Sequence, residues 1–187
     1  MYKQHLKFEP KIEYSIVKWE RQTGPDCVFY ATTRIIEKLA WLKHRDNVEF
    51  EAKELAEDFR DVLQDHEGGV SFVGFLKQLR SCGWNGYTFH FRVHFFRSFE
   101  KMLAKLAAQP LLLNFKTYEK KADRVDANGF YKLYPANTPR RGSHAVCIWG
   151  WDGENLLILD SHYRELIKLS EEGFKQLVNY VYSLSMY

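Results

Sequence analysis

Apolar side chains at Val28, Ala31, Ile35, Leu39 and Leu42 recur at helical spacing. Pro25 and Asp26 suit a helix start, so the pattern predicts a helix over 25–43. A second amphipathic helix is predicted over 49–63, through Leu55, Phe59 and Leu63. Glu67-Gly68-Gly69 breaks the chain, and "VSFVGFLKQLRSCG" predicts a third helix closed by Gly83. The period then changes to two. Tyr87, Phe89, Phe91, Val93 and Phe95 alternate with Thr88, His90, Arg92 and His94, as in a half-buried strand. A further helix over 98–108 stops at Gln109-Pro110, and "PLLLNFK" reads as a buried strand. A polar loop, 119–129, leads to "GFYKLY". After "PANTPRRGS" come two strands, "HAVCIWGWD" and "NLLILDS", joined at Asp152-Gly153, a strong hairpin signal. The short strand "ELIKLS", a helix from Glu171 and a last strand "YVYSLSMY" follow. Helices first and an antiparallel sheet afterwards is an α+β order.

Composition narrows the classes. A chain of 187 residues with 45% hydrophobic side chains suits a single folded domain with a proper core. The net charge of +3 is small, and bases alternate with acids in "KTYEKKADR", so no basic stripe points to a nucleic-acid partner. No apolar run approaches a membrane span. The opening "MYKQHLKFEPKIEY" lacks the apolar segment of a signal peptide, and three cysteines do not make a disulfide framework. The expected setting is cytoplasmic, with reduced thiols; the oligomeric state is not legible.

The chemistry concentrates at three residues. Cys27 falls in the first turn of a predicted helix, where unpaired N–H groups and the positive end of the macrodipole stabilise a thiolate. His144 opens the first strand of the hairpin. Asp160 ends the second, and the two are expected to face each other across it. A carboxylate there is expected to accept the imidazole Nδ1 proton and leave Nε2 for the thiol. Cys147 lies on an apolar strand and reads as core, as do Trp84, Trp149 and Trp151. Cys82 sits at a helix C-terminus, where the dipole disfavours a thiolate. Cys82, His90 and His94 are not expected to bind metal, since Arg92 lies between the two histidines on their face. "TPRR" precedes the Gly142-Ser143-His144 turn and would make a positive rim or a solvated loop. His162, two residues beyond Asp160, is a competing base.

These motifs resemble the papain-like cysteine peptidases over nearly the whole length, in order. Gln22 precedes Cys27 at a helix start. The acidic helix "AKELAEDF" follows, then Gly68-Gly69 before "VSFVGFLKQLRSCGW", then "AAQPLLLNF", "GFY" and "HAVCIWGW", with Asp160 sixteen positions after His144. The resemblance implies a papain-like fold in one domain, with a helical half over about 20–110 and a sheet half over about 1–19 and 111–187. It implies Cys27 as nucleophile, His144 as base and then acid, and Asp160 as its orienting partner. Gln22 and the Cys27 amide would form an oxyanion hole, and Gly68 and Gly69 a bare backbone wall for an extended peptide. The implied activity is peptide-bond hydrolysis without cofactor or metal, on a peptide or protein substrate.

The chain also departs from the family. Gln22 is one residue closer to Cys27 than usual. Asp160 replaces the common Asn. The "NSWG" Trp that shields the His–Asn bond is missing from "DSHY", where Tyr163 is a partial substitute. The disulfide cysteines of secreted papains have no counterparts, and with 26 residues before Cys27 no long inhibitory pro-segment is expected. Two alternatives stay open: an inactive papain-fold binder of peptide or protein, and a transglutaminase-like or other acyltransferase using the same residues.

Overall fold

The computed structural model describes residues 26–44, 48–63, 71–96, 98–118, 124–163 and 165–187. Helix α1 (Cys27–His44) begins with Phe29 N–H and Tyr30 N–H donating to the Asp26 carbonyl at 3.0 and 3.3 Å. Its apolar stripe buries Val28, Ala31, Ile35 and Leu39, while Leu42, at its far end, stays 38% exposed. Helix α2 (Ala52–Leu63) buries Leu55 and Phe59 against it. Helix α3 (Phe72–Cys82) is capped by Ser71, whose Oγ accepts from Gly74 N–H, and closed by Gly83, whose N–H reaches the Leu79 carbonyl. All three match the predicted helices to within a few residues at their ends.

The strands are β1 (Phe89–His94), β2 (Leu111–Thr117), β3 (Gly142–Trp151), β4 (Leu156–Leu159), β5 (Ile167–Leu169) and β6 (Val178–Met186), with α4 (Phe99–Leu106) and α5 (Glu171–Leu177) between them. They form one antiparallel sheet in the order β1-β6-β2-β3-β4-β5. The alternation predicted for β1 holds at Phe89 and Phe91 but fails at the far end. There Val93 is 42% and Phe95 76% exposed, and His94 turns in to meet Ser183 Oγ at 2.7 Å. An edge strand has a neighbour on one side only, so its pattern is held less firmly.

Each central strand serves two cores. From β3, Ala145, Cys147 and Trp149 join Phe29, Ile36, Leu55 and Phe75, the cluster of α1, α2 and α3. Val146 and Ile148 point the other way, towards Met102, Leu106, Phe174 and Leu177 of α4 and α5. A bulge between Ile148 and Gly150 then turns Trp151 to that second cluster. The architecture is α+β with a papain-like layout: the Cys-bearing helix lies against the antiparallel sheet. None of the described helices is long and apolar enough to cross a membrane.

Candidate active site

Cys27 is the first residue of α1, and the first turn carries no acidic side chain. The helix packs on β3 at Ala145, whose N–H approaches Cys27 Sγ at 3.4 Å. The small Ala145 side chain packs beside Cys27 in the first cluster, so the helix end and the strand can meet. The next residue back along β3 is His144, 4% exposed and paired across the sheet with Phe115. Its Nε2 lies 3.0 Å from Oδ1 of the fully buried Asp160.

Burial pushes the Cys27 thiol up, but the charge and hydrogen bond of His144 and the Ala145 N–H outweigh it. The thiol ends below its ordinary range, against a smaller opposing push from Asp160. Burial also resists charging His144; the carboxylate of Asp160 and the thiolate of Cys27 overcome that and raise the imidazole to about 9. Asp160 is held well below the carboxylate range despite burial, by the His144 charge and by hydrogen bonds from His144, Tyr131 and the His162 N–H. Both shifts run in the direction of a thiolate beside an imidazolium, with the carboxylate behind it.

The ring nitrogens are used the opposite way from the expectation. Nε2 takes the carboxylate, leaving Nδ1 for Cys27. The hairpin register also differs from the expected one. The turn spans Asp152 to Asn155, and the bulge at Ile148/Gly150 slips the register by one, so Cys147 faces Leu159. Continuing that register sets His144 opposite residue 162, not 160. The two imidazoles accordingly stack, with centroids 4.8 Å apart and planes 10° from parallel. Asp160 reaches His144 from the turn beyond β4, where its Oδ1 also accepts from His162 N–H at 2.9 Å. His162 thus covers the His144 ring, a place expected for Tyr163, which instead packs against the second cluster.

Sequence reasoning gave no role to Tyr131 of "GFY". Its hydroxyl donates to Asp160 Oδ2 at 2.6 Å, and both groups are buried. The clue was present: a buried carboxylate needs donors on both oxygens. Polar atoms of His144, Asp160 and His162 lie within 4.8 Å of one another, close enough to suggest a metal set. Imidazole lone pairs lie in the ring plane, however, and two stacked rings do not aim at one ion. The geometry suits a hydrogen-bonded stack.

Gln22, Gly68 and Gly69, expected to form the oxyanion hole and the peptide wall, lie outside the described residues. Cys147 is fully buried, with its thiol pushed up by burial. Cys82 is exposed and accepts from Gln78 Nε2 at 3.2 Å; all three cysteines are free. His90 packs edge-on to Tyr187, with ring centroids 5.5 Å apart. Trp84, Trp149 and Trp151 are buried, as expected of core residues. Arg140 and Arg141 are exposed, and Arg140 Nε donates to the Gly142 carbonyl at 2.9 Å.

No family model matches the chain, and no curated protein matches it in sequence. Solved structures do match. The cysteine protease CMS1MS2 of Carica candamarcensis, in complex with E-64, aligns at TM-score 0.67 and 14% identity over 92% of this chain and 95% of that one. Xylellain, a cysteine protease from Xylella fastidiosa, aligns at TM-score 0.67 and 14% identity over 91% and 84%. A putative C39-like peptidase from Bacillus anthracis aligns at TM-score 0.53 and 17% identity over 90% and 94%. The chain has the papain-like cysteine-protease fold.

Proposed function

We propose that this protein is a cysteine peptidase acting on peptides or proteins. The observation that carries this reading is the line Cys27–His144–Asp160: a thiol at a helix N-terminus, an imidazole raised to about 9, and a buried carboxylate on its far nitrogen. The Cys27 thiolate would attack the substrate carbonyl, forming a C–S bond. The imidazolium would give its Nδ1 proton to the leaving amine as the C–N bond breaks. His144, now neutral, would take a proton from water as the water's oxygen displaces the thiolate from the thioacyl group. Gln22 and the Cys27 amide would hold the oxyanion, and Gly68 and Gly69 would flank the peptide. Free thiols at Cys27, Cys82 and Cys147 suit work in a reducing compartment such as the cytoplasm.

The test is the pH dependence of Cys27 alkylation by iodoacetamide, in the parent and in His144→Ala, with Cys82 and Cys147 followed in the same digest. Cys27 is expected to react well below the ordinary thiol pKa of about 8.5, and His144→Ala to abolish that advantage. E-64, the compound in the Carica complex, is expected to protect Cys27. A peptide library would then show cleavage that Cys27→Ala loses. An ordinary or inert Cys27 would turn the reading towards a binding scaffold. Transfer of the acyl group to added amines in place of water would turn it towards an acyltransferase.

A further inference from the structure

Asp160 accepts hydrogen bonds from three separate parts of the chain. His144 Nε2 and His162 N–H both reach Oδ1, at 3.0 and 2.9 Å, and Tyr131 O–H reaches Oδ2 at 2.6 Å. A carboxylate is free to turn about its side-chain bonds, and two donors on one oxygen do not stop it swinging. A third donor on the other oxygen does. Among the described residues, Tyr131 is the donor to Oδ2.

We propose that Tyr131 is a positioning residue for the Cys27–His144 pair, fixing the Asp160 carboxylate so that Oδ1 stays on His144 Nε2; this rests on the peptidase reading above. The local fold closes a circuit around that bond. Phe115 is the cross-strand partner of His144, and the Tyr131 ring lies edge-on to Phe115, with centroids 4.8 Å apart. The Tyr131 hydroxyl meets Asp160, and Asp160 returns to His144. The backbone at Tyr131 is itself held, with its N–H on the Lys168 carbonyl at 3.0 Å and a bridge to Val125. Tyr131 and Asp160 are 5% and 0% exposed, so little water competes for either oxygen. Burial and the adjoining carboxylate charge keep the phenol protonated well above its ordinary range, which makes it a donor at every working pH. An acid at position 160 presents acceptors only, and all three groups that meet it are donors.

The experiment measures iodoacetamide alkylation of Cys27 at about pH 6, below the ordinary thiol range, in the full chain. The variants are Tyr131→Phe, Asp160→Asn, the double variant and His144→Ala. Tyr131→Phe is expected to slow alkylation about tenfold and Asp160→Asn at least as much. The double variant is expected to be no slower than Asp160→Asn alone, because the phenol acts through the carboxylate. A Tyr131→Phe rate within about twofold of the parent, or effects that multiply in the double variant, would overturn the proposal. If His144→Ala leaves the parent rate unchanged, the Cys–His reading falls and takes the proposal with it. If His144→Ala slows the reaction and Tyr131→Phe does not, the proposal alone falls. Should Tyr131→Phe not fold by circular dichroism, 3-fluorotyrosine at position 131 keeps the ring shape and strengthens the donor. It draws charge from Asp160, so the pKa at which the imidazolium loses its proton is expected to fall; an unmoved pKa overturns the proposal.

Discussion

Cys27 and His144 shift in opposite directions, and each therefore reports on stability with the opposite sign. His144 is raised to about 9, so its contribution is complete below its unfolded pKa, near 6.5, and is lost as pH rises through the folded value. Cys27 is depressed, so its contribution is complete above its unfolded value and is lost as pH falls through the folded one. The two dependences run in opposite directions and oppose one another in the parent, whose stability is expected to fall less steeply with rising pH above 6.5 than that of a variant without the thiol. Cys27→Ser removes the second titration while Asp160 still supports the imidazolium. Its stability is then expected to fall with rising pH above 6.5, with a slope approaching ~1.4 kcal/mol per pH unit. Adding Asp160→Asn should flatten the curve. Urea unfolding across this range checks it, and parallel curves for parent and Cys27→Ser would mean that the two dependences do not oppose one another. The three candidates that the structure brings together stood out in the sequence because each lies at a recognisable place: a helix start, a strand start and a strand end. Which nitrogen faces which partner was not legible, since it depends on how the ring is turned between two parts of the fold, and no local pattern announces that. Tyr131 was hidden for another reason: it acts across 29 positions of chain.

At the scale of elements, helix ends and turns were read well where a single residue type serves one backbone need. Gly83 is the clearest case. It closes α3 at φ +69°, and a Cβ there would lie 2.5 Å from the Tyr87 carbonyl oxygen. That oxygen accepts from Trp84 N–H at 3.0 Å, the bond that turns the chain from α3 towards β1. Gly86 has a similar φ of +80°, with nothing within 4 Å of the Cβ position. Gly86→Ala should therefore lose only the positive-φ penalty of about 1 kcal/mol, and Gly83→Ala about 3 kcal/mol, because φ +69° with ψ −172° is open essentially to glycine alone and a Cβ there meets backbone. Thermal melts of the two variants separate the terms; equal losses would show that the neighbouring turn gives way. Strand edges were read less well. Val93 and Phe95 follow the alternation along the chain, but β1 borders only β6, and nothing on its other side among the described strands enforces the pattern.

The whole molecule depends on strands that belong to two cores at once. Leu112 of β2 joins the cluster of α1, α2 and α3, while Leu111 and Leu113 join that of α4 and α5; on β6, Tyr182 and Leu184 divide from Val181 in the same way. Helices first and strands afterwards were legible from the change of period along the chain. Yet β1, in the stretch expected to be the helical half, joins the sheet, and residues 1–19 of the expected sheet half lie outside the described residues. A sheet buried on both faces was not legible. The reason is that "LLLNF" and "HAVCIWGW" are apolar at consecutive positions, and such a run does not say what covers either face. The consequence is mechanical. A strand cannot leave one core without leaving the other, so the site between α1 and β3 is held by both. Leu113→Ala opens a cavity in the second cluster, at a residue with no exposure, and should destabilise by about 2–5 kcal/mol. The loss is expected to appear in one shared transition. Tryptophan fluorescence, to which Trp84 and Trp149 in one cluster and Trp151 in the other contribute among five tryptophans, should lose its native value at the same urea concentration as far-UV circular dichroism. Cys27 should fall back to ordinary thiol reactivity at that concentration too, although it packs in the cluster that the substitution does not touch. If Cys27 keeps its native reactivity after the Trp151 side has unfolded, the α1 cluster stands alone, and the sheet is a surface it rests on.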